Sequence, residues 1–548
     1  MQKIVSTSRA FVRGAMILGI ATVISKMMGS IYTILLQNLI GDRGMGLYQM
    51  AYPVYSTLLI VSTAGFPIAV SKFVSEYSAL GDYRSARRIY RVSLALLSVL
   101  GLVAAVGLYT QAPFFAKLSG DSAAVYAIRA IAPALFIVPA MSTMRGYFQG
   151  WQLMNPTAVS QITEQLIRVA TILLGAVIVL KLGFGDTGAA AAAAFGAVTG
   201  GIAGLLVMVY YMAAFKNKRQ QWAYGHSAPE YLNSKPLSIR AIMGKMLYYA
   251  LPVSLGALII PVISNVDAWT VTNILKSHGM AQGMATREFG LLAGRSFKLL
   301  MLPAALASSL GAALMPSVSV AFALRNHLDL HARIKTGLNM ALWFALPASV
   351  GLLVLAKPID IALFKDAAGY HSIQIMGFAV LFSVLQITLS ASLQGIGAVW
   401  VPLWGLFAGT AAKIALNFML IPFFGIDGAA ISTLLSYALA TVLNFFSLRA
   451  KIGIAFYFRD DVLKPVVATF IMGAFIFAMY AQWTRFAVPL PPRASAFAVT
   501  ILDVCMGIVL YAFLMVLIGL VNEKDIASLP RIGRPLVAIF RRFGLFAR

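Results

Sequence analysis

The sequence predicts an all-α polytopic membrane protein of fourteen transmembrane helices, built as two parallel six-helix repeats with two helices appended. Three observations predict it. Apolar stretches long enough to cross about 30 Å of hydrocarbon recur along almost the whole chain. Motifs of the first half return in the same order in the second half. Positive charge gathers in alternate connections between the apolar stretches.

Hydrophobic residues make up 60% of the 548 positions and charged residues only 11%, against about 25% charged in a soluble globular domain. The first predicted helix, 12–38, follows Lys3, Arg9 and Arg13 and is too long for a signal-peptide core, so it reads as a retained helix. The second, 46–75, carries the interruption Gly65-Phe66-Pro67, and the next three span 90–112, 122–148 and 157–181. The sixth, 187–214, opens on the run Ala189 to Ala194 and continues with Gly196, Gly200 and Gly204, a four-residue spacing that permits close helix packing in lipid. These six form a first lobe, 1–214. A basic linker follows at 215–245, with Lys216, Lys218, Arg219, Pro229 and Pro236. The second lobe, 246–448, holds spans 246–275, 290–322, 334–356, 368–396, 399–421 and 427–448. Two additional helices, 462–483 and 496–521, occupy 449–521, and a basic tail fills 522–548.

The repeat rests on several weak echoes at nearly one offset. Gln149-Gly150 and Pro156 recur as Gln394-Gly395 and Pro402, and Gly188-Ala189-Ala190 recurs as Gly428-Ala429-Ala430. Gly65, Ala86-Arg87 and Leu94 to Leu96 return as Gly311, Ala332-Arg333 and Met340 to Leu342. Because each repeat holds six helices, the second re-enters in the same direction as the first, and the pseudo-axis runs along the membrane normal.

Lys and Arg number 43 against 18 Asp and Glu. Most of them lie at the N-terminus, in alternate loops and in the tail, which places both termini in the cytoplasm. A nucleic-acid reading would need those charges on one face of a water-soluble domain, and no connection is long enough to hold one. The lone Cys505 forms neither an intramolecular disulfide nor a cysteine metal cluster, and the five histidines lack the HExxH glutamate. No Gly-rich loop ends in Gly-Lys-Ser/Thr, so an ATPase of its own is excluded and no cofactor or metal is expected. Energy then comes from membrane potential, a Na+ or H+ gradient, or substrate flux.

Ionisable groups inside the bilayer are costly and point to function. Lys26 lies thirteen residues after Arg13, about 20 Å along the helix. Arg295 and Lys298 are one helical turn apart, and Arg129, Arg168 and Lys413 are further intramembrane cations. Glu164 and Arg168, spaced i,i+4, read as a structural ion pair, which the repeat does not duplicate because Lys413 and Gly409 stand at the matching positions. Asp267, in Ser264-Asn265-Val266-Asp267, reads as a neutralising, proton-binding or cation-coupling carboxylate. Asp42, Asp121, Asp186, Asp360, Asp366 and Asp427 appear scattered singly. A cavity with excess cation favours an anionic substrate, phosphate or pyrophosphate above all.

Ser25-Lys26-Met27-Met28-Gly29, Gly44 to Tyr48, Ala64 to Ala69 and Gly81-Asp82 resemble the SpoVB/YtgP-like branch of the MOP exporter superfamily, and Ala293-Gly294-Arg295 with Met315-Pro316-Ser317 is similar to MurJ-type lipid II flippases. The resemblance implies two MATE-like lobes in a V and alternating access. It also implies movement of an undecaprenyl-pyrophosphate-linked peptidoglycan precursor across a bacterial cytoplasmic membrane, beside the cell-wall synthesis machinery. It carries substrate binding onto Lys26 and Arg295, with Lys298 added by helical spacing, and gives the two extra helices a groove for the polyprenyl tail. A cation that the family pattern has later in helix one is here Tyr32. Alternatives are a flippase for another lipid-linked glycan, such as a teichoic-acid, spore or capsule precursor, or a cation-coupled MATE-type drug antiporter.

Overall fold

A computed structural model describes residues 2–63, 65–226, 237–453, 458–483 and 491–520, with only the backbone described over stretches that include 2–17, Lys26 and 216–226. Residues 227–236 of the predicted linker 215–245, and the tail 522–548, therefore lie outside the described residues. The described chain is helical, with no strand among its residues.

Contacts divide the chain into two units, Met1–Gly294 and Arg295–Arg548. The first contains α1 (Gln2–Thr63), α2 (Phe66–Ala79), α3 (Tyr83–Thr110), α4 (Ala112–Leu118), α5 (Ala124–Ile131), α6 (Ala134–Gly150), α7 (Met154–Lys181) and α8 (Gly185–His226). It also contains α9 (Ile239–Ala257), α10 (Ile259–Ser277) and α11 (Gln282–Gly290), which pack on α1, α2 and α3. The packing boundary therefore falls inside the second sequence repeat, at a π-helical turn, Leu291–Ser296. The second unit holds α12 (Phe297–Ala323), α13 (His327–Phe364), α14 (Tyr370–Gly395), α15 (Trp400–Phe424), α16 (Ile426–Ile452), α17 (Lys464–Trp483) and α18 (Pro492–Leu517). Within it α14 packs on α12, α13 and α16, and α17 and α18 pack on α13 and on each other.

Twelve helical runs among the described residues are long and apolar enough to cross a membrane, as a multi-pass membrane protein requires. The expected count of fourteen is not reached among them. Residues 12–38 and 46–75 merge into one run, Met27–Ala79, although Gly41 breaks its helical geometry at φ 72°, ψ 175°, a conformation that favours glycine. The span expected at 246–275 is divided between α9 and α10, and neither is among the twelve.

Small residues set the closest approaches. A Cβ on Gly200 would stand 2.7 Å from both Glu164 O and Arg168 Cβ, so this glycine lets α8 lie directly on the charged stretch of α7. Helix packing and ion-pair placement are thus one feature of the first unit.

Candidate functional site

The buried charges of the first unit converge on one carboxylate. Arg168 Nη2 stands 2.5 Å from Glu164 Oε1, and Arg145 Nη2 stands 2.8 Å from Oε2. Arg145 also donates to Ser160 Oγ at 2.8 Å, and Ser160 Oγ donates to the Gly204 carbonyl at 2.8 Å, which ties α6, α7 and α8 together. All three charged side chains are at most one-fifth exposed. Two guanidiniums against one carboxylate leave one net positive charge inside the helices. Arg145 lies within α6 and turns toward α7.

A phenolic surface of α1 accompanies this cluster. The hydroxyls of Tyr32 and Tyr48 are 3.1 Å apart, and Tyr52 lies 6.0 Å from both Tyr48 and Tyr55, centroid to centroid. Tyr32, Tyr52 and Tyr55 lie in the neighbourhood of Arg168.

In the second unit, Arg295 is 2% exposed and held by two aspartates. Its Nη1 lies 3.0 Å from Asp360 Oδ1 and 2.6 Å from Asp366 Oδ1, and Nη2 donates to Asp366 Oδ2 at 3.3 Å. Asp360 Oδ2 accepts the Gly369 N–H at 2.7 Å, and the guanidinium carbon sits 5.0 Å from the Phe364 ring centre. Asp360 is fully buried, while the Asp366 side chain is 52% exposed. Arg295 belongs to the π-helical turn, and Lys298 is half-buried at the start of α12.

Asp267 is buried on α10, two residues from Asn265, whose amide donates to Thr57 Oγ1 at 2.7 Å and to the carbonyls of Pro53 and Pro261. No group of three metal-capable side chains is found among the described residues. The side chain of Lys26 lies outside the described residues.

The acids read as scattered singly are not isolated. Besides Asp360 and Asp366, Asp186 takes two hydrogen bonds from Arg43, at 2.7 and 2.9 Å. Asp121 accepts from Gln282 at 2.6 Å and Thr286 at 2.7 Å, Asp42 accepts from Gln37 at 2.8 Å, and Asp427 accepts from Ser372 at 2.5 Å. Gln37 is five residues from Asp42 on the same helix, whereas the side-chain partners of Asp121, Asp186 and Asp427 are too distant in sequence for spacing to reveal them.

Residues 11–322 match the model of the polysaccharide biosynthesis protein family. The chain belongs to that family. It is 31% identical over 533 residues to the uncharacterized membrane protein YabM of Bacillus subtilis, covering 97% of this chain and 96% of that one. To the lipid II flippase MurJ of the same organism it is 31% identical over 498 residues, covering 87% and 89%. The solved inward closed conformation of a lipid II flippase MurJ shares the fold, with a TM-score of 0.66 at 16% identity over 91% of this chain and 98% of that structure. The family match includes the stretches carrying Lys26, Glu164, Arg168, Asp267, Arg295 and Lys298.

Proposed function

We propose that this family member is a flippase for an undecaprenyl-pyrophosphate-linked glycan, with lipid II as its substrate, and that it works by alternating access from the inner to the outer leaflet. The observation that carries the reading is the 31% identity to the Bacillus subtilis lipid II flippase over 87% of this chain. Excess cation buried beside Glu164 supports it, because a pyrophosphate needs donors that keep their charge away from water. In this reading both termini face the cytoplasm of a bacterial cell, with the outer leaflet serving the cell-wall synthesis machinery. Membrane potential, or a Na+ or H+ bound at Asp267, resets the cycle.

Lys26, Arg295 and Lys298 hold the pyrophosphate in this proposal. For Arg295 that requires an exchange of partners. Asp366, half in solvent, is the carboxylate a phosphate oxygen would displace, while buried Asp360 stays to orient the guanidinium. Depletion of the protein in its native cell, with leaflet-resolved analysis of lipid-linked precursors, tests the substrate. Lipid II accumulating in the inner leaflet supports the reading; unchanged lipid II beside a rising teichoic-acid or capsule precursor replaces it with another glycan. Unimpaired lipid translocation by a Lys26→Ala, Arg295→Ala double variant would remove these residues from the site.

A further inference from the structure

In the second unit a groove of about 320 Å³ opens between α12 and α13. Its composition changes along its length. Leu310, Ala313, Leu314 and Met340 form apolar walls, and Ser317, Arg333 and Thr336 supply polar groups. Arg333 is six residues into α13 and Ser317 six residues before the end of α12, so both lie about 9 Å from the turn joining the helices at 1.5 Å per residue. Leu310 and Met340 are each thirteen residues from the same helix ends, about 20 Å along. The groove thus runs from a polar end near the turn to an apolar end about 11 Å farther along the helices.

The polar end is ordered. Arg333 Nη1 donates to Ser317 Oγ at 2.7 Å and to the Ser317 carbonyl at 3.3 Å, and Nε donates to Asp329 at 2.9 Å. Nη2 has no partner among the described residues. Asp329 is more than one-third exposed and so only partly offsets the guanidinium.

The repeat keeps the polar pair of this groove and changes the neighbouring side chains. At the offset of 246, Arg333 and Ser317 correspond to Arg87 and Ser71, so the cation and the hydroxyl are duplicated. Thr336 corresponds to Tyr90, whose ring is buried 4.5 Å from that of Tyr147, and Gly337 corresponds to Arg91. The first unit puts bulk where the second has Thr336 and Gly337.

We infer that the α12–α13 groove binds an anionic phospholipid of the bilayer, its phosphodiester on Arg333 and Thr336 and one acyl chain along Leu310, Leu314 and Met340. Charge complementarity at the polar end selects the anion, and the apolar walls beyond it select a lipid over a free phosphate. A guanidinium already shared with Asp329 matches a singly charged phosphodiester better than a pyrophosphate.

The test uses the full chain, reconstituted in an equal mixture of phosphatidylglycerol and phosphatidylethanolamine, re-extracted in mild detergent and assayed for retained lipid by native mass spectrometry. The wild-type protein should retain phosphatidylglycerol preferentially. Arg333→Ala should reduce that retention about tenfold, as expected for one lost charge-assisted hydrogen bond, and Arg333→Lys should keep part of it. Ala313→Trp, which fills the groove without touching the charge, should reduce it too; Thr336→Tyr, which copies the bulk of the first unit, serves if the tryptophan variant does not fold. Equal retention by wild type and Arg333→Ala overturns the inference. So does full retention by the groove-filling variants, which would mean surface attraction alone, and so does displacement of the lipid by undecaprenyl pyrophosphate, which would assign the groove to the substrate tail.

Discussion

The α7–α8 pair of the first unit and the α15–α16 pair of the second occupy matching repeat positions but bury charge in opposite ways. In the first, Glu164 is shared by Arg145 and Arg168. In the second, Lys413 stands where Arg168 stands, Gly409 replaces Glu164, and the fully buried ammonium has the Thr433 hydroxyl, 2.5 Å away, among its partners. The glycines exchange sides with the polar residues. Ser160 on α7 faces Gly204 on α8, whereas the equivalent Gly405 on α15 faces Asn444 on α16, whose Oδ1 would lie 2.7 Å from a Cβ added at Gly405. A helix pair can keep its spacing with the bulky polar group on either partner, provided the other side is small. The packing is what the repeat preserves, and the charge pattern is free to diverge on it.

The largest expected effect breaks the first unit's arrangement. Glu164→Gln leaves two buried guanidiniums without their counter-charge and should cost about 3–5 kcal/mol, the usual penalty for removing one partner of a buried ionic group. Chemical or thermal unfolding in detergent measures it. A loss below 1 kcal/mol would show that lipid headgroups or water already neutralise the arginines. The second unit offers the smaller counterpart: Thr433→Val takes a hydroxyl from a buried ammonium and should cost about 1–3 kcal/mol. Lys413→Met, which removes the charge itself, should then recover most of the loss in the double variant. If Thr433→Val destabilises equally with methionine at 413, the threonine acts through packing and the contrast between the units weakens.

Much of this architecture was legible because its causes are local. Apolar runs dictate spanning helices, and the spacing of Gly196, Gly200 and Gly204 already marks a face for close packing. The i,i+4 spacing of Glu164 and Arg168 likewise announces contact on one helix. What stayed hidden depends on tertiary contact. Arg145 lies 19 residues from Glu164, on another helix, and Asp360 and Asp366 reach Arg295 across 65 and 71 residues. No periodicity encodes such meetings. The break at Gly41 was hidden for a different reason: glycine is common in membrane helices, and only its positive φ distinguishes this one.

The side-swap of glycine and polar residue permits a finer test. Gly204→Asn alone should drive a side chain into Met141 Sδ, 2.6 Å from the position of its Cβ, and toward Arg145 Nη2 at 3.3 Å, for a cost of about 1–3 kcal/mol from overpacking. Adding Ser160→Gly vacates the facing position and reproduces the arrangement of Gly405 and Asn444. Residues in direct contact couple by about 0.5–3 kcal/mol, so the double variant should be more stable than the sum of the two single changes predicts. The sign matters more than the size. Favourable coupling means that the two helix pairs are interchangeable solutions to one packing problem. Additive losses would mean that the hydrogen bond from Arg145 to Ser160 holds the first unit to its own charge arrangement, since only there does the small-for-polar exchange also remove an acceptor from a buried arginine.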